Sequence, residues 1–190
     1  IDIEDISEMK KISQLTTPSP VFALFYRQNI DLDIDGMLKD KQLILALDSV
    51  QDPGNMGTII RIADWFGIKN IVCSTTTVDV YNSKTVQSTM GALARVAVYY
   101  VDLVEFLKQC RNCDYPIYGT FLDGESIYTK KLSSHGVIVM GNEGKGVSKE
   151  VASEIGEKLL IPSYPVDVVT SESLNVAVAT AIVCSEFRRR

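Results

Sequence analysis

Soft metal ligands are scarce in this chain of 190 residues: one histidine, His135, and four cysteines, at positions 73, 110, 113 and 184. Cys110 and Cys113 form a single C-x-x-C with no second ligand pair and no strand and helix opening onto it, so a zinc or redox centre lacks its usual context. No metal is expected. Cys73 and Cys184 stand in apolar surroundings that suit buried free thiols, and the set reads as that of a reducing, cytoplasmic compartment. Long apolar runs are missing too. The longest are broken within about ten residues, short of the roughly 20 that a spanning helix needs, so no membrane partner is expected. No basic start leads into an apolar run, which excludes a visible secretory signal. An initiating Met is also lacking, and the chain reads as continuing upstream of Ile1. There is no internal repeat, no G-x-G-x-x-G and no Walker A loop.

What remains is an ordinary globular composition, 46% hydrophobic and 23% charged, enough for one core of the usual domain size. A net charge of −5 argues mildly against a nucleic-acid partner. Most of that acidic excess lies before residue 43, however, and the chain ends in Arg188, Arg189 and Arg190, so a local basic surface is available.

Residues 1–15 carry Ile3, Ile6, Met9, Ile12 and Leu15 as a helical stripe, and 21–26 (VFALFY) read as a buried strand. Together they read as residues 1–26 of a module that begins upstream. Residues 27–42 are polar and acidic and read as a linker. From Leu43 to the end, apolar strands at 43–48, 70–74, 96–101, 116–121, 136–141 and 158–162 alternate with helices at 55–66, 82–90, 103–113 and 175–188. This pattern predicts an α/β domain over 43–190, a mainly parallel sheet with helices on both faces.

Three stretches hold the residues that suit chemistry. Asp52-Pro53-Gly54-Asn55-Met56-Gly57 turns out of the first strand into a helix that Asn55 can cap, with Arg61 in its first half. Gly141-Asn142-Glu143-Gly144-Lys145-Gly146 follows a strand, where ligands bind in open α/β sheets. Ser173-Leu174-Asn175 precedes a helix whose Ala177, Ala179 and Ala181 allow close packing. Each stretch alone suits a capped helix or a tight turn as well as it suits a site.

In this order they are much more specific. Asn55-x-Gly57 with Arg61, Ile138 to Gly146 (IVMGNEGKG), and Ile161-Pro162 with Ser173-Leu174-Asn175-Val176-Ala177 resemble the SpoU branch of the SPOUT superfamily of RNA methyltransferases, over about 43–187. The resemblance implies an α/β fold with a C-terminal deep trefoil knot, S-adenosylmethionine as cofactor, a homodimer with sites near its interface, and a 2′-O-methylated ribose in tRNA or rRNA as product. It also implies that residues 1–26 are the end of an RNA-binding domain.

Carried over residue by residue, the resemblance gives Thr120, Gly141, Asn142, Gly144, Ile161 and Leu174 to the cofactor. It gives Arg61 to activation of the ribose hydroxyl, with Asn55, Glu143, Ser173 and Asn175 positioning it. A guanidinium suits steadying an alkoxide or gripping a phosphate as well as it suits a base's role. The connection from Pro162 to Ser171 is longer than the family's compact spacing, which implies a loop of different shape over the cofactor. The alternatives are a non-catalytic relative that binds RNA or cofactor, and a methyltransferase acting on a small molecule or protein.

Overall fold

The computed structural model describes residues 9–11, 13, 17, 26, 31–165, 168, 171 and 173–189. The chain divides into two units, Ile1–Asp31 and Leu32–Arg190. In the first, residues 9–11 are helical; the rest of the expected 1–15 helix and 21–26 strand lies almost wholly outside the described residues.

The second unit begins inside the stretch read as a linker. Helix α1, Ile34–Lys39, is capped by Asp33, whose carboxylate accepts from Gly36 N–H at 2.9 Å. Its Met37 is buried, with Ile34 and Leu38 packed beside it. The apolar spacing 34, 37, 38 is helical, and it was hidden by the aspartates around it.

The elements that follow are β1 Leu43–Leu47, α2 Pro53–Trp65, β2 Asn70–Ser74, α3 Ser83–Ser88, β3 Ala97–Val101, α4 Leu103–Asn112, β4 Ile117–Ser126, β5 Gly136–Met140, α5 Lys149–Ala152, β6 Glu157–Leu160 and α6 Val176–Arg189, with a 3-10 turn at Ala92–Ala94. The strands form one six-stranded sheet in the order β3-β2-β1-β5-β4-β6, and every neighbouring pair is parallel.

Strand alternation divides the core into two layers. Leu45, Leu47, Ile71, Cys73, Ile138 and Met140 face Met56, Ile59 and Ile60 of α2 and Val183 and Phe187 of α6. Ile44, Ala46, Val72, Val137 and Val139 face Leu103, Phe106 and Leu107 of α4. The central strands β1, β2 and β5 are thus apolar on both sides, as a sheet covered by helices requires.

Two contacts clasp α2 to α6. Asn175 Nδ2 donates to Asn55 Oδ1 at 2.9 Å near the helix starts, and Arg188 Nε donates to the carbonyl of Phe66, the C-cap of α2, at 2.9 Å. The guanidinium also completes free carbonyls at a negative helix end. On its other side, α2 crosses α3 at Gly57, where a Cβ would lie 2.4 Å from that of Ser88. An Asn-x-Gly spacing therefore serves packing at its Gly.

β5 enters between β1 and β4 instead of extending the sheet outward. The connections leaving β1 and β5 consequently meet at the carboxyl edge, and Asp48 N–H donates to the carbonyl of Met140 at 2.9 Å there. Beyond Thr120, β4 loses its register with β6 and regains it at Glu125.

Cys73, Cys110 and Cys184 are buried, Cys113 is exposed, and all four are free thiols. Burial pushes Cys73 far up, and pushes Cys110 and Cys184 up to about 12. Only a thiolate alkylates readily. Iodoacetamide at neutral pH should therefore label Cys113 in the folded protein and the other three only after denaturation, as read by intact mass.

Candidate functional site

The first turn of α2 differs from the sequence expectation. The cap is Asp52, which accepts from Asn55 N–H at 2.8 Å with Pro53 in the first helical position. Asn55 is not the cap, because Pro53 fixes the helix start two residues earlier. Its amide is free for longer contacts.

Those contacts join the three motifs. Asn55 Nδ2 donates to Glu143 Oε1 at 3.1 Å, while its Oδ1 accepts from Asn175. Asn175 Oδ1 accepts from Ala177 N–H at 2.9 Å and Val178 N–H at 3.2 Å, capping α6. Glu143 also accepts from the backbone N–H groups of Gln51, at 3.2 Å, and Asp52, at 3.1 Å. Burial pushes this carboxyl up, but the bonds from Asn55, its own backbone, Asp52 and Gln51 together outweigh it and hold Glu143 below the usual 4.5. A carboxylate so engaged is ionised at neutral pH and is a weak general base. Its geometry is that of a clamp.

Asn142 is similarly occupied. Its Nδ2 donates to the carbonyl of Ser49 at 2.7 Å, and its Oδ1 accepts from Gly144 N–H and Lys145 N–H, both at 3.0 Å. Backbone bonds in both directions between Asn142 and Gly146, each 2.9 Å, close the loop. A Cβ on Gly141 would lie 2.3 Å from the carbonyl carbon of Gly146, so this closure permits no side chain there.

Sequence reasoning missed the strap that receives these bonds. Asp48 is a buried carboxylate that accepts from Ser148 N–H at 2.7 Å, and residues 49, 51 and 52 hold Asn142 and Glu143. The available signal was an Asp ending an otherwise apolar strand at its ligand edge.

The loop borders a cavity of about 360 Å³. All six residues assigned to the cofactor, Thr120, Gly141, Asn142, Gly144, Ile161 and Leu174, line it, as do Glu143 and Ser173. Its apolar wall includes Met140, Leu159, Val176 and Ala179, and the register break in β4 brings Phe121 and Leu122 to it. The Ser173 hydroxyl makes no hydrogen bond among the described residues.

Arg61 is exposed on α2, outside the cavity wall and without a hydrogen bond or ion pair among the described residues. The structure therefore brings Asn55, Glu143 and Asn175 into one network and leaves Arg61 apart from it. Residues 166, 167, 169 and 170 of the long connection before Ser171 fall outside the described residues. A second cavity, of about 420 Å³, lies beyond β1 and β2 and is lined by none of the candidate residues. Ser49, Ser74 and Thr76 on its wall bond to one another.

The model of the SpoU rRNA Methylase family matches residues 42–185. The chain belongs to that family. The chain is 31% identical over 178 residues to the 23S rRNA (guanosine(2553)-2′-O)-methyltransferase RlmP of Bacillus subtilis, covering 93% of this chain and 68% of that one. It is 30% identical over 165 residues to the tRNA (guanosine(18)-2′-O)-methyltransferase of Aquifex aeolicus, covering 80% and 71%.

Among solved structures, one described as an RNA methyltransferase of the TrmH family from Porphyromonas gingivalis superposes with a TM-score of 0.81 at 46% identity, over 96% of this chain and 71% of that one. The AdoMet-bound rRNA methyltransferase of Sinorhizobium meliloti gives 0.71 at 35% identity, over 78% and 56%. The chain thus spans 56% to 71% of the length of these relatives.

The cavity fits S-adenosylmethionine by its donor set. The polar loop 141–146 forms one side of the cavity, and the apolar wall opposite can flank a ring. The volume lies within the roughly 300–1,000 Å³ usual for small-molecule sites. No group of three or more His, Cys, Asp or Glu among the described residues is placed to hold a metal ion, and no described helix is long and apolar enough to cross a membrane.

Proposed function

We propose that this chain is an S-adenosylmethionine-dependent RNA (ribose-2′-O-)-methyltransferase acting on tRNA or rRNA. The observation that carries the reading is the Glu143–Asn55–Asn175 network, which ties three separated motifs around one cavity. The named activities of the Bacillus and Aquifex relatives support the same substrate class.

When bound, S-adenosylmethionine supplies an electrophilic methyl group on a sulfonium. The chain's part is to present a ribose hydroxyl in line with it and to manage the hydroxyl's charge. Ser173, on the cavity wall, orients the nucleotide. Arg61 steadies the negative charge that develops on the oxygen. Glu143, Asn55 and Asn175 hold the walls of the site in register. The protein works in the cytoplasm as a homodimer with its sites near the interface. The domain carries a C-terminal trefoil knot, and residues 1–26 are the end of an RNA-binding domain.

The test is incubation with labelled cofactor and bulk tRNA or rRNA, followed by nucleoside mass spectrometry. A 2′-O-methylated nucleoside should appear. Cofactor binding without transfer to any RNA would overturn the reading in favour of a non-catalytic relative.

A further inference from the structure

Lys145 stands at the cofactor cavity with no role in the assignments above, and among the described residues it is the one cationic side chain lining that cavity. It is exposed, and its ammonium makes no hydrogen bond or ion pair with any described residue. The acidic neighbour that would ordinarily neutralise it, Glu143, is turned away, committed to Asn55 and the backbone of Gln51 and Asp52. Meanwhile the Lys145 backbone is fixed, because its N–H is held by Asn142 Oδ1 inside a loop closed by the Asn142 and Gly146 bonds. The result is an available positive charge on a flexible side chain rooted in a fixed backbone beside the site.

The same cavity is also lined by Leu122, 77% exposed and given no role by the family resemblance. An exposed apolar side chain beside the one described cation suits a nucleotide: a base face against the leucine and a phosphate against the ammonium. Among the described residues, neither a free carboxylate nor a second cation lines this place. On a chain whose net charge is −5, a polyanion needs such local contacts to be held.

We propose that Lys145 grips a backbone phosphate of the RNA next to the ribose presented to the cavity, and so helps fix which nucleotide is presented. The proposal rests on the RNA methyltransferase reading. Lys145 is a positioning contact, since it reaches the nucleic acid and not the reacting oxygen.

The test measures RNA binding directly, by fluorescence anisotropy with labelled bulk tRNA and with an rRNA transcript, using the full chain saturated with S-adenosylmethionine. K145A should weaken binding about three- to tenfold near 0.1 M salt and reduce the slope of log Kd against log salt by roughly 0.7–1, whereas K145R should keep both near wild type. Cofactor affinity, read by calorimetry, should be the same in all three proteins. Unchanged RNA affinity and salt slope in K145A overturn the proposal while leaving the methyltransferase reading intact. Weakened cofactor binding with an unchanged RNA slope also overturns it, and assigns Lys145 to the cofactor. A wild-type protein that binds neither RNA removes both readings together.

Discussion

Replacing Arg61 by Ala should lower methyl transfer about 10²–10³-fold while leaving cofactor affinity and the melting temperature near wild type. The separation follows from where Arg61 stands. It is exposed on α2, it is bonded to nothing among the described residues, and it forms no part of the cofactor cavity. Its removal opens no void and strands no partner, and a surface change of that kind usually alters stability by less than about 0.5 kcal/mol. The loss should therefore fall on kcat with labelled cofactor and saturating RNA, and calorimetry with the cofactor should return the wild-type Kd. Normal turnover in R61A would remove the catalytic role. A large fall in cofactor affinity would show that Arg61 serves the pocket.

The opposite profile is expected at Glu143. In E143A, two backbone N–H groups and the Asn55 amide lose their acceptor, at a cost of about 1–3 kcal/mol. The loop carrying Gly141 to Gly146 loses its tie to α2, and a displacement of that order should reduce turnover about 10²-fold and weaken cofactor binding as well. pH separates the charge from the shape. Glu143 is held below its usual 4.5 in the folded protein, so its stabilising effect is fully present above that value and fades as pH falls through the folded-state value. Urea denaturation should show wild type more stable than E143Q at pH 7, with the difference shrinking below about pH 4.5. A gap that is constant down to pH 3 would mean that the carboxylate charge contributes nothing to the clamp.

The strands and the motif order were legible in the sequence because both are local. Strand 70–74 and the apolar cores of the other five strands follow from short runs bounded by turns. The part of β4 beyond Phe121 was not legible, since Asp123, Gly124 and Glu125 look like a loop and become strand only where β6 lies alongside. The placement of β5 between β1 and β4 depends on tertiary packing alone. Asp52 and Asn55 both have capping chemistry, and the choice between them was made by Pro53. Apart from Asp48, the strap of residues 48–52 was unreadable for another reason: it acts through backbone N–H and C=O groups, which every residue possesses. Six positions taken from the family resemblance line one cavity, yet Lys145, in the same motif, went unassigned because no motif pattern requires it.

The two-ended clasp between α2 and α6 has a bearing on how the protein comes into being. Its contacts join residues 120 and 122 positions apart in the chain, Asn55 with Asn175 and Phe66 with Arg188. A ribosome will have released β1, α2 and the glycine loop well before α6 emerges, and those pieces must wait with an unfinished wall. Closing so long a loop is entropically slow, and contacts of this separation tend to form late. Activity should therefore arise as a last step after synthesis of α6, with no catalytically competent nascent form before it.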